Sequence, residues 1–116
     1  MQEEKMTRKQ TQWFMLHSPE IGKAFESFYK VCEEDGVLDK KTKELLMLAL
    51  TSVFRSINSI DEHLDRALKA GATKEEITET LLITAAEGAW AQLAFEKQLC
   101  LKYLGEGDKK LSWDSS

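Results

Sequence analysis

Proline is nearly absent and glycine is sparse: the 116 residues hold one proline and six glycines. An all-β fold with many tight turns needs more of both, so this supply favours helices. Cysteine occurs twice, too rarely for a disulfide scaffold. Long apolar runs are missing as well. The longest, Leu45 through Leu50, is far short of the ~20 residues that a membrane-spanning helix needs. Met1-Gln2-Glu3-Glu4-Lys5-Met6 contains no apolar stretch of the secretory type, so the expected location is cytoplasmic and no membrane partner is expected. An excess of basic charge is absent too. Sixteen Lys+Arg face twenty Asp+Glu, a formal charge of −4, which argues against nucleic acid as the main partner.

What is present reads as one domain. A chain of this length can hide roughly two-thirds of the surface its unfolded form exposes. Ser18-Pro19-Glu20 reads as an N-cap, a proline at the first helical position and an acid near the positive helix end. That helix should run to about Glu34 and stop at Gly36, with Ile21, Phe25, Phe28 and Val31/Cys32 on one face. A shorter helix carrying Trp13, Phe14 and Leu16 is expected before it, within residues 7–17. Asp39 can cap the next helix, from about Lys40 to Phe54. Its middle is apolar on all sides, which predicts burial. Ser56 can cap a further helix, about Ile57 to Ala70, ended by Gly71. Thr73-Lys74-Glu75-Glu76 has the capping-box pattern and opens a helix with Ile77, Leu81, Leu82 and Ala85. Gly88 allows a bend, and a last helix is expected from about Ala89 to Leu104, ended by Gly105. The expectation is an all-α bundle of five to six helices. It divides into an N-terminal helical segment (1–17), a central domain (18–104) and a polar tail (105–116).

The junction Phe54-Arg55-Ser56-Ile57-Asn58-Ser59-Ile60-Asp61-Glu62-His63 is where chemistry is most plausible. On a helix Ser59 and His63 would lie about 40° apart, and Ser56 and His63 about 20° apart. Two hydroxyls and an imidazole then share one face at a helix start, where free amides and the dipole stabilise an anion. A thiolate would be placed in such a position to lower its pKa.

Glu44, Ser56, Ser59 and His63 have the spacing Glu-x11-Ser-x2-Ser-x3-His. This is similar to the Glu-x11-Cys-x2-Cys-x3-His motif of the alkylhydroperoxidase D / carboxymuconolactone decarboxylase-like family. Leu38-Asp39-Lys40-Lys41-Thr42-Lys43-Glu44-Leu45 resembles that family's L-D-x-K-T-K-E-L helix start. His63 followed by Ala70-Gly71-Ala72-Thr73-Lys74-Glu75-Glu76-Ile77 resembles its H-x6-A-G-A-T-x-E-E-I. The likeness spans about residues 18 to 100.

It implies an all-α fold and a homo-oligomer, trimer or hexamer. In redox-active members the cysteine nearer the histidine attacks a peroxide or disulfide and the other cysteine resolves it. Glutamate and histidine relay the proton, and a thiol or disulfide donor supplies electrons. By resemblance Ser59 stands at the attacking position, Ser56 at the resolving one, and Glu44 and His63 at the relay positions. Both sulfurs are missing, and a hydroxyl neither ionises like a thiol nor forms a disulfide. Peroxiredoxin-type activity is therefore expected to be absent in the chain as given, whether the serines are a natural variant or replacements of cysteine. The decarboxylase branch has an acidic residue four before the histidine. Here that position is Ser59, with Asp61 and Glu62 out of phase.

Simpler roles stand beside these. Ser56 serves as an N-cap, Glu44 pairs with Lys40 or Lys41 one turn away, and Asn58 makes a local backbone bond or a polar pocket contact. A serine hydrolase is disfavoured, because no nucleophile elbow is present. Glu44 and His63 supply two potential metal ligands with no completing motif, so no metal or other cofactor is expected. Cys32 and Cys100 read as core thiols, and Trp90 and Phe95 as core or subunit-interface residues. Three functions remain open. One is a redox-inactive member of the peroxide-reducing family. Another is a module binding a small acid through Glu44 and His63. The third is a carboxymuconolactone decarboxylase-type lyase.

Overall fold

Ser18, Asp39 and Thr73 each start a helix by accepting a hydrogen bond from a backbone amide in its first turn. The computed structural model describes residues 12–105. The expectations for residues 7–11 and for the tail 106–116 lie outside them. The described chain forms α1 (Phe14–His17), α2 (Pro19–Glu33), α3 (Lys40–Val53), α4 (Ile60–Lys69) and α5 (Lys74–Leu104), and contains no strand. The all-α expectation holds.

The amide of Ile21 donates to Ser18 Oγ at 3.3 Å and that of Thr42 to Asp39 Oδ1 at 2.8 Å. At α5 the box is reciprocal. Glu76 N donates to Thr73 Oγ1 at 3.0 Å, and Thr73 N donates to Glu76 Oε1 at 2.8 Å. Each bond satisfies an amide that has no partner within its helix. Lys41 Nζ also reaches Glu76 Oε2 at 2.8 Å, which ties the start of α3 to the start of α5.

Two helices end in the same way. After α4, Gly71 N donates to Leu68 O at 3.0 Å and Ala72 N to Ala67 O at 2.9 Å. After α3, Arg55 N donates to Ser52 O at 3.3 Å and Ser56 N to Thr51 O at 2.8 Å. Both are Schellman closures, which place one residue in the left-handed region. Gly71 takes it at φ 96°, and Arg55 at φ 55°. A side chain is unfavourable there by about 1–2 kcal/mol.

Three expectations are corrected. Helix α4 begins at Ile60, not Ile57, because the Ser56 amide is committed to closing α3. Ser56–Ser59 is a turn, with Ser59 N and Ile60 N both donating to Ser56 O. Helix α5 runs through Gly88 without a break. A glycine weakens a helix by roughly 1 kcal/mol but does not stop one flanked by Ala85, Ala86, Ala89 and Ala91. The middle of α3 is not buried on all sides. Leu48 is fully buried, whereas Leu46 and Leu50 stay about half exposed, since α4 covers only one stripe of α3.

The chain divides within α5, between Leu82 and Ile83, into two units. In the first, α3 packs on α4 and α1 on α2. Its core is Leu48, Ala67, Ala72 and Ile77, with Leu45 and Ile60 packed against it. Gly22 is buried where α2 meets α1, and a Cβ there would lie 2.5 Å from Met15 Cγ. In the second unit the described residues are the remainder of one helix. Trp90 and Phe95 are exposed on it, so they are not core residues of the single chain. Cys32 and Cys100 are free and partly buried.

Candidate functional site

The packing of α3 on α4 carries Glu44 to His63. His63 Nδ1 and Glu44 Oε2 are 2.9 Å apart, and the two side chains are only 2% and 1% exposed. Glu44 therefore does not pair with the lysines one turn before it. An ionised carboxylate only accepts hydrogen bonds, so Nδ1 carries the proton. In a neutral imidazole Nε2 is then an acceptor. In that form the Tyr29 hydroxyl, 3.0 Å away, donates to it. Three side chains from α2, α3 and α4 thus form the line Tyr29–His63–Glu44.

Ser56 and Ser59 form a separate pair, their Oγ atoms 2.7 Å apart across the turn. Both imidazole nitrogens are engaged by Glu44 and Tyr29, and neither serine hydroxyl bonds to the ring. The link between the two pairs is backbone, with His63 N donating to Ser59 O at 3.1 Å. Asn58 lies between the serines, half-buried, with interaction partners of its own. The structure therefore brings the expected residues together as two pairs, with Ser56 and Ser59 in one and Glu44 and His63 in the other.

Tyr29, Glu33 and Arg66 complete the surroundings and were not singled out from the sequence. The Arg66 guanidinium bridges Glu33 of α2 and Glu62 of α4, the latter at 2.6 Å. A legible signal existed: Tyr29 and Glu33 are one turn apart on α2, and Glu62, His63 and Arg66 share adjoining positions on α4. Burial pushes the Tyr29 hydroxyl above its ordinary pKa. The Glu33 carboxylate adds to this, Arg66 opposes it, and Glu44 and Glu62 contribute further upward. Tyr29 therefore keeps its proton through the neutral range and remains a donor to His63.

Ligating atoms of Glu33, Glu44 and His63 lie within 4.8 Å of one another. Position thus supplies the third donor that the spacing of Glu44 and His63 alone did not offer. Each of the three already has a protein partner: Arg66 for Glu33, and Glu44 and His63 for each other. Among the described residues no buried side-chain nitrogen or oxygen lacks a hydrogen-bond partner. No described helix is long and apolar enough to cross a membrane.

The model of the carboxymuconolactone decarboxylase family matches residues 19–96. A protein of Paracoccus denitrificans named "Uncharacterized protein 4 in cox locus" is 38% identical over 74 residues. That alignment covers 64% of this chain and 67% of the relative.

Proposed function

The chain belongs to the carboxymuconolactone decarboxylase family, and from that membership we propose that it is an alkylhydroperoxidase-like domain that keeps the proton-relay pair and lacks the thiol step. One observation carries this reading. The Ser56 and Ser59 oxygens touch at 2.7 Å, so two sulfurs in their places would be close enough to join after a small adjustment to the ~2.05 Å of a disulfide. This closeness supports reading the turn as a dithiol site with oxygen where sulfur would act. A serine pair cannot cycle between a dithiol and a disulfide, so the chain as given does not reduce peroxides by this route.

His63 and Glu44 are the residues that would handle the proton in a version with sulfur. The imidazole is one helical turn from Ser59, and rotation of its ring away from Tyr29 would turn Nε2 toward another partner.

The test is the double substitution S56C/S59C, assayed for hydroperoxide consumption with a dithiol reductant. Turnover is expected to appear in the double variant, to be absent in the parent, and to be lost again when His63→Gln is added. A folded double variant that closes a disulfide but consumes no peroxide would overturn the reading. The family resemblance also implies a homo-oligomer, trimer or hexamer. The apolar side chains left exposed on α2 and α3, among them Ile21, Phe28, Leu46 and Leu50, support self-association. Sedimentation velocity would show it as a mass above that of the monomer.

A further inference from the structure

Tyr29 faces two ways. Its hydroxyl ends the buried line from Glu44 and His63, and its side chain also lines a cavity of about 500 Å³. That volume lies within the ~300–1,000 Å³ of small-molecule sites. Part of the lining is apolar: Phe14, Met15 and Phe25, with the Phe14 and Phe25 rings edge-to-face at 5.5 Å. Phe25 in turn lies 6.1 Å from Tyr29, tilted by 34°. Gly22 forms part of the wall and contributes no side chain to fill the space.

Most of the other lining side chains are charged. Arg66 is held between Glu33 and Glu62, so its charge is already balanced. Glu26 and Lys30 complete the charged lining, and three carboxylates there outnumber two cations. Such a lining disfavours an anion. The one Tyr29 proton is directed at His63 Nε2, which leaves the phenolic oxygen to accept. A ligand that meets it has to be a donor.

We propose that this cavity binds a small neutral phenol or enol, its ring or apolar body against Phe14 and Phe25 and its hydroxyl donating to the Tyr29 oxygen. The inference does not use the chemistry of Ser56 and Ser59, and it stands or falls separately from the thiol reading.

Equilibrium dialysis of the chain as given tests it, with phenol, anisole and benzoate as probes. Phenol is expected to bind saturably, and anisole, which lacks the donor, about three- to tenfold more weakly. Benzoate is expected to bind more weakly than phenol. Tyr29→Phe keeps the apolar wall and should weaken phenol to the level of anisole. Equal binding of phenol and anisole to the parent chain would overturn the proposal without relying on any variant. Tighter binding of benzoate would also overturn it, as would unchanged phenol binding in a Tyr29→Phe protein with parental melting. Loss of phenol binding as the protein self-associates would assign the cavity to a second copy of the chain and would equally sink it.

Discussion

Glu44 and His63 stand nineteen positions apart in the chain and 2.9 Å apart in space, with both side chains buried. Neither can be removed alone without leaving a polar group in the interior that water does not reach. Glu44→Ala is expected to lower stability by roughly 3–5 kcal/mol, the range for breaking a buried pair. Glu44→Gln retains an acceptor for Nδ1–H and should cost distinctly less. Urea unfolding of the two variants measures the difference. Equal losses would mean that packing at this position, not the hydrogen bond, carries the stability.

Tyr29 makes an alkaline prediction. Its pKa is raised in the folded chain above an ordinary value of 10.0, first by burial and then by Glu33. The native state therefore holds the proton more tightly than the unfolded state. The stability this contributes is complete below about pH 10 and is lost as the pH rises through the folded value. Melting temperature should fall on the alkaline side, and Tyr29→Phe should flatten that fall. A slope equally steep in the variant would place its origin in other groups.

Arg55 and Gly71 close two helices with the same pair of bonds, but only Gly71 suits the left-handed backbone that both adopt. Arg55→Gly removes a strain of about 1–2 kcal/mol and adds the ~0.5–1 kcal/mol entropic cost of a glycine. A net gain of up to about 1.5 kcal/mol is expected by thermal or chemical unfolding. A clear loss would show that the Arg55 side chain makes a stabilising contribution that outweighs the strain.

Gly22 and Gly88 should respond oppositely to alanine. A Cβ at Gly22 would meet Met15 Cγ at 2.5 Å and Met15 Cα at 3.0 Å, whereas nothing lies within 4 Å of one at Gly88. Gly22→Ala is expected to destabilise by about 1–2 kcal/mol, as overpacking exceeds the gain in helix propensity. Gly88→Ala is expected to stabilise by roughly 1 kcal/mol. Circular dichroism melts of the two variants give the signs directly.

Much of the local structure was legible in individual residues. Ser18, Asp39 and Thr73 cap helices through bonds that span three residues, and Gly71 ends one through bonds of similar reach. Interactions this short are written in consecutive residue types, which is why the all-α architecture could be read directly. The same locality explains the errors. Ser56 has the chemistry of an N-cap, yet its amide is taken by Thr51 O, and the turn this creates delays α4 to Ile60. Gly88 has the chemistry of a break, yet the alanines around it favour continuing.

The sequence by itself determined the helices and their caps. Only the tertiary structure decided which way His63 faces. Its imidazole joins Glu44 from α3 and Tyr29 from α2, and neither partner lies within reach along its own helix. A buried imidazole must satisfy both nitrogens, and the packing of separate helices, not local spacing, determines which groups are there to do so.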